Sequence, residues 1–471
     1  MKTTQPPARG SRRPTGLLRS VVTSVLALTL AGAVAATAPA SAGAAVPAPP
    51  AGSLPGVPAV PGLPALPSGP VLSSTDDPFY TPPAELPPTP GAVIRSRPAP
   101  QLLDLAGVPG PGQARSMLYT STREDGVPVA VSGVVIEPTT PWSGPGPVPT
   151  IVFAPGTRGG GDSCAPSRSV LQTVGGDPAV GAVNVNYEIP FYQLASVLGM
   201  RVVVTDYIGL GTPGQHTYVD TVEEGRAVLD AARAALALDG QPADSPVGFY
   251  GYSQGGGAVA AAAELAASYA PELTVKGTYA GAPPANLRRV LEAVDGNAIA
   301  GVIGYTLAGQ LERHPDLAPL VDVHFNERGK RFLADTPNRC ITDSVATWGF
   351  TSSRSLTKTG ESFGEIVDND PTLSGIVAAQ MLGTRPVSGP VLILNAVNDD
   401  TIPFDQAREL AREYCEQGAT VQFTADPMPS VLPGSSLNHA VPLVTNLPQS
   451  FAYMLDRFRD VPAPSSCGEL T

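Results

Sequence analysis

Residues Val247–Gly257 read VGFYGYSQGGG: a short apolar run, then Gly251-Tyr252-Ser253-Gln254-Gly255, then two more glycines. The run before the serine has the length and composition of a buried strand. Ala258–Tyr269 (AVAAAAELAASY) then forms a helix of small side chains that can lie close on a sheet. The pattern G-x-S-x-G at a strand-to-helix turn carries a specific physical demand. The turn is so tight that the residues two before and two after the serine can bear almost no side chain. The serine itself takes a strained backbone conformation that lifts its hydroxyl above the sheet.

Strand and helix signals alternate outward from this turn. Ala114–Arg123 and Val127–Glu137 alternate in polarity about Asp125-Gly126, a hairpin signal. Short apolar runs at Pro149–Ala154, Met200–Thr205, Val247–Tyr250, Leu273–Ala280, Gly389–Leu394 and Ala419–Thr424 suit a parallel sheet buried on both faces. Thr221–Leu238 reads as a helix with a Thr221/Glu224 capping box and an apolar stripe at Val222, Val228, Leu229, Ala232 and Leu236. Asp405 is placed to cap a helix running to Gln417, and Gln449–Arg459 makes a last one. A hairpin leading into β-α alternation is the α/β-hydrolase plan, with a mostly parallel central sheet. One stretch breaks the rhythm. About residues 283–386, helical segments (Asn286–Val294, Ile299–Leu311, Leu317–Asn326, Thr372–Met381) follow one another without a sheet strand. This is a helical cap inserted before the strand that should carry the catalytic acid.

Composition bounds the rest. The 471 residues, 42% hydrophobic and 15% charged, supply ample material for a large core. A net charge of −12 argues against nucleic acid or anionic membrane surfaces as partners. Arg9, Arg12, Arg13 and Arg19 precede an apolar Val21–Thr37, and Ala40-Ser41-Ala42 follows with small residues for cleavage, so residues 1–42 read as a signal peptide. Ser11-Arg12-Arg13 hints at twin-arginine export, although the residues after it fit that signal poorly. Residues 43–76 are rich in Pro, Gly and Ala and read as an extended linker, with the catalytic domain at 77–471. The four cysteines, Cys164, Cys340, Cys415 and Cys467, suit two disulfides in an exported chain. Four allow three connectivities. None lies near another in sequence or beside clustered histidines, which speaks against a metal or redox site.

A serine hydroxyl needs a base, and the base needs an orienting group. In this plan the chain order is Ser, then Asp or Glu, then His. Of the four histidines, His216 precedes the serine, and His314 and His324 lie in the cap. His439, in SSLNHAVP, is the one beyond the last strand. The acid belongs just past Pro390–Leu394, where NAVNDDTIP resembles the G-x-x-D-x-x-V-P turn of many hydrolases. Counting back four from Pro403 selects Asp399, with Asp400 as competitor. The oxyanion of a tetrahedral intermediate needs backbone N–H donors. One is Gln254, next after Ser253. The other comes from Pro155-Gly156-Thr157-Arg158: Pro155 has no N–H, so it is Gly156 or Thr157, with Thr157 preferred. The glycines after it do not lead into Gly-Lys-Ser/Thr, which removes a phosphate-cradling loop.

Together these residues resemble the secretory lipase family, which includes fungal lipase A types and exported actinobacterial lipases. DPFYTPP from Asp77, PGT and GDSCAPS within Pro155–Ser167, DYIGLG at Asp206–Gly211, GYSQGG, and NHA with Pro442 beyond it carry the resemblance, which runs from about Asp77 to Cys467. It implies an α/β-hydrolase with a helical cap and Ser/Asp/His catalysis. It also implies activity on carboxylic esters, including triacylglycerols, with no metal or cofactor. It further implies a disulfide from the oxyanion-loop cysteine into the cap, Cys164 with Cys340, and one from Cys415 to the C-terminal tail at Cys467. For Tyr207, in DYIGLG, it implies a structural role. Two rivals remain: a short-chain carboxylesterase with the same triad, and a binding or envelope protein that reuses the scaffold with a dead site.

Overall fold

The computed structural model describes residues 77–101, 112–169, 173–177 and 179–470. The expected signal peptide at 1–42 and linker at 43–76 lie outside these residues. The sheet begins with a meander of β1 (Val93–Pro98), β2 (Gly112–Thr122) and β3 (Pro128–Pro138). The β2–β3 hairpin runs in register from Thr122↔Pro128 to Gly112↔Pro138. Gly126 at its turn has φ +85°, a value that favours glycine. The sequence reading missed β1, a polar edge strand ending in Pro98. Such edges carry little periodic signal because one side of the ladder faces solvent.

The chain then enters β4 (Thr150–Ala154), a two-stranded ribbon of β5 (Val174–Asp177) and β6 (Ala182–Val185), β7 (Arg201–Thr205), β8 (Pro246–Tyr252), β9 (Thr274–Gly281), β10 (Val391–Ala396) and β11 (Val421–Asp426). The main sheet has the order β1-β2-β3-β7-β4-β8-β9-β10-β11. It is antiparallel through the β3–β7 pairing and parallel from β7 to β11. Every residue of β4, β7 and β10 is buried, as expected of strands covered on both faces.

Helices Thr221–Leu238 and Gln254–Tyr269 pack against each other, and Gly225 brings their backbones close. On the first of these the capping expectation needs correction. Asp220 is the N-cap and accepts from the Glu223 amide, while Glu224 turns elsewhere. The helix after β10 likewise starts at Phe404 with Pro403 as its cap, so Asp405 sits in the first turn.

Between β9 and β10 lies the helical cap. Leu287–Val294, Val302–Arg313, Ala318–His324 and Pro371–Ala379 match the four expected segments with shifted ends. Glu327–Asp335, Ile341–Trp348 and Phe363–Asn369 were not anticipated. They are short and start on local caps, such as Asn326 accepting from the Arg328 and Gly329 amides, so they offer too few turns for an apolar period to register. The cap has its own core around Tyr305, Phe325, Phe332 and Phe363.

Candidate active site

The loops that matter leave the carboxyl ends of β4, β8, β10 and β11, where open α/β sheets place their sites. Ser253 follows β8 with φ +61° and ψ −126°, the strained conformation expected of the elbow. The glycines show why it can form. A Cβ on Gly255 would lie 1.9 Å from the Ala154 carbonyl oxygen, and one on Gly251 would lie 2.1 Å from the Gly255 carbonyl oxygen.

His439 stands in the first turn of a helix, Leu437–Thr445, that the sequence reading did not assign. Its Nε2 lies 2.8 Å from Ser253 Oγ and its Nδ1 lies 2.8 Å from Asp399 Oδ2. The Asp399 side chain is fully buried, and its Oδ1 accepts from the Thr401 and Ile402 amides at 2.9 and 2.8 Å. Those bonds aim Oδ2 at the imidazole. Asp400 faces the other way. Its Oδ2 accepts from the Gly434 and Ser436 amides and so shapes the left-handed turn that leads into the histidine helix. Tyr252 donates its hydroxyl to the His439 carbonyl at 2.7 Å, fixing the helix start from the serine side.

The loop after β4 has two candidate amides, and their partners differ. The Gly156 N–H points to Glu188 Oε1 at 3.3 Å. The Thr157 and Gln254 amides have no acceptor among the described residues. Both therefore keep a free donor, and that of Gln254 adjoins Ser253 in the chain. Thr157 Oγ1 pairs with the Tyr218 hydroxyl at 2.6 Å, and Tyr207 donates its hydroxyl to the Pro155 carbonyl at 2.7 Å. Buried Arg158 forms an ion pair with Glu188 and packs over the Tyr187 ring.

Cys164 is bonded to Cys340 and Cys415 to Cys467. The first joins the segment after β4 to the cap. Beside it, the Gly160 amide donates to Arg339 O at 2.9 Å and the Ile341 amide to Arg158 O at 2.8 Å.

Above the serine a cavity of 190 Å³ runs under the cap. Ser253, Gln254 and Tyr218 line its floor; Leu287, Val302, Ile366 and Val377 are among its walls. No Asp, Glu, Lys or Arg lines it. Such a wall suits a hydrocarbon chain, since an isolated charge there would be desolvated without a partner.

The sequence reading set His216 aside because it precedes the serine. The structure brings it, with Glu224, to the Gln254 side chain. The available signal was a polar residue directly after the nucleophile, followed by three glycines. A buried amide there demands partners.

Comparison with known proteins bears on the family and the fold. A family model described as secretory lipase matches residues 178–466. The probable inactive lipase MT1628 of Mycobacterium tuberculosis is 30% identical, over 76% of this chain and 78% of its own. Lipase A of Moesziomyces aphidis is 29% identical, over 75% of each chain. The closed-state structure of Candida antarctica lipase A superposes with a TM-score of 0.68 at 26% identity, over 83% of this chain and 88% of that one. With the family model spanning more than half of its length, the chain belongs to the secretory lipase family.

Proposed function

We propose that this chain is an exported serine hydrolase that cleaves carboxylic ester bonds of lipids, a triacylglycerol lipase working through an acyl-enzyme on Ser253. One observation carries the reading: Ser253, His439 and Asp399 form a continuous hydrogen-bonded chain at the foot of a largely apolar cavity that no Asp, Glu, Lys or Arg lines. His439 takes the Ser253 proton as Oγ attacks the ester carbonyl. The Thr157 and Gln254 amides receive the oxyanion. His439 then protonates the leaving alcohol and activates the water that releases the acid. Asp399 keeps the Nδ1–H tautomer and stabilises the imidazolium.

An organophosphonate should label the wild type stoichiometrically and Ser253→Ala not at all. Labelling of that variant at another serine sinks the assignment. Across p-nitrophenyl esters, kcat/KM should rise from acetate toward longer acyl chains, because each buried methylene contributes about 0.8 kcal/mol. A maximum at acetate or butyrate favours the short-chain esterase. The relative described as inactive makes the dead-scaffold reading specific, and the unbroken Ser–His–Asp chain argues against it here.

Contact with a lipid surface is part of the proposal. Phe350 and Leu432 are 65% and 67% exposed. Each has a left-handed backbone, with φ of +59° and +47°. The Phe350 amide donates to Asn297 O, Asn297 Nδ2 donates to Asp400 O, and Asp400 takes the Gly434 amide two residues past Leu432. Both tips therefore flank the acid and histidine loops. Phe350→Ser with Leu432→Ser should cut turnover of emulsified triacylglycerol about 10-fold or more, while leaving soluble butyrate hydrolysis unchanged. Equal loss on both substrates would remove the lipid-contact role.

A further inference from the structure

Behind the nucleophile lies a polar cluster that the triad chemistry leaves unexplained. His216 Nδ1 is 3.0 Å from the Ile208 carbonyl. A carbonyl only accepts, so Nδ1 carries the proton and the Nε2 lone pair is free. Gln254 Nε2 donates to it at 3.0 Å. The same amide nitrogen gives its other hydrogen to Glu224 Oε1 at 2.7 Å, which also accepts from the Val219 amide at 2.9 Å. All three side chains are buried. A side-chain amide with both hydrogens committed has its torsions fixed, and the first residue of the nucleophile helix is fixed with it.

The imidazole reaches the other half of the hole too. Its ring stacks on Tyr207 with centroids 5.8 Å apart and meets Tyr218 edge-on at 5.9 Å. Tyr207 holds the Pro155 carbonyl and Tyr218 holds the Thr157 hydroxyl. We propose that His216 and Glu224 are positioning residues for the oxyanion hole, holding the Gln254 amide directly and the Thr157 amide through Tyr207 and Tyr218. This rests on the ester-hydrolase reading above.

The protonation states fit that geometry. Burial lowers His216 to about 4, so at neutral pH it offers a lone pair rather than a second N–H to Gln254. Burial pushes Glu224 up to about 8, so it stays a neutral acid until the pH rises past that value. The groups around it are Gln254 on the nucleophile helix, the Val219 amide, Tyr207 and Tyr218 on the preceding loop, and Asp220 and Glu223 on its own helix. Asp220 is itself pushed up to about 7 by burial and by Glu223. Arg313 of the cap binds Glu223. No cation touches Glu224 among the described residues. Ionisation therefore places an uncompensated negative charge behind a donor that must face an oxyanion.

The test is kcat per titrated serine on p-nitrophenyl butyrate, with phosphonate titration counting folded sites. His216→Phe, Glu224→Ala and Gln254→Met should each lower kcat by about 10- to 100-fold with KM within about 3-fold, less than outright loss of a hole donor. Glu224→Gln keeps a neutral acceptor and should restore kcat near pH 7. It should also lack the fall in kcat expected of the wild type above about pH 8. A purely structural role would lower the titrated fraction and leave kcat per site unchanged, and that outcome overturns the proposal. So does a Glu224→Gln profile with the alkaline fall intact. Gln254→Met and Glu224→Gln are near-isosteric and keep the test open if the larger changes fail to fold. If the wild type hydrolyses no ester, or Ser253→Ala matches it, the hydrolase reading fails instead.

Discussion

Asp399→Asn should lower kcat on a soluble ester by about 10⁴-fold, while KM changes little. The direction of the amide makes this a sharp expectation. Asp399 Oδ1 accepts from the Thr401 and Ile402 N–H groups. In the asparagine the carbonyl oxygen must remain there, since an NH₂ would confront two donors. The NH₂ then faces His439 Nδ1 and converts it to an acceptor. The proton moves to Nε2, where it points at Ser253 Oγ, and the base has no lone pair to offer. Asp400→Asn predicts a contrasting result. Its Oδ2 accepts two loop amides, while its buried Oδ1 has no partner. An asparagine can keep its oxygen toward the amides and put its NH₂ at the orphaned position. Activity there should fall less than about 10-fold, with any loss read as stability. Kinetics of the two variants, compared per titrated serine, decide between adjacent acids that sequence counting separated only by preference. Inactivity in Asp400→Asn with an active Asp399→Asn would reassign the acid.

What the sequence made legible follows from where the constraints are local. The serine turn was readable because glycine at 251 and 255 is a steric requirement of a few neighbouring atoms. Strands β4, β7, β8 and β10 were readable because burial on both faces leaves near-continuous apolar runs, while β9 and the edge strand β11 are buried only in part. The Thr221–Leu238 helix was readable from its stripe, yet its cap was misread by one residue. Thr221 followed by Glu224 satisfies the local capping pattern. Asp220 wins the amide, and Glu224 is drawn away to Gln254 and Val219. That pull is tertiary and leaves no local trace. The same holds for His216. Its distance in sequence from Ser253 hid a contact that exists only because the loop after β7 folds back over the nucleophile helix. The cap was harder still. Its short helices are held by each other and by the 158–160 loop, so helix length and period, the two cues a sequence offers, are weak there.

Removing Cys164–Cys340 should cost more than removing Cys415–Cys467, and it alone should impair chemistry. The first closes a separation of 176 residues and the second one of 52. Loop-closure entropy then sets upper figures of about 5 and about 4 kcal/mol, a small difference by itself. Packing widens it. Both sulfurs of the first pair are fully buried against Ala165, Ala182 and Leu210, so a double alanine variant also leaves a void. Cys415 and Cys467 are only partly buried, at the far end of the helix after β10. The catalytic difference has a separate cause. Cys340 lies between Arg339 and Ile341, whose backbones bond Gly160 and Arg158, and Thr157 is the next residue back along that loop. Loosening the cap there frees the loop that carries the Thr157 amide proposed to receive the oxyanion. Cys164→Ala/Cys340→Ala should therefore lower both the melting temperature and kcat per titrated serine, whereas Cys415→Ala/Cys467→Ala should lower only the melting temperature. Thermal melts followed by circular dichroism, with kinetics at a temperature where both variants are folded, separate the two effects. An equal kcat loss from the C-terminal pair would mean that general softening, rather than the attachment of the cap to residues 158–160, governs the hole.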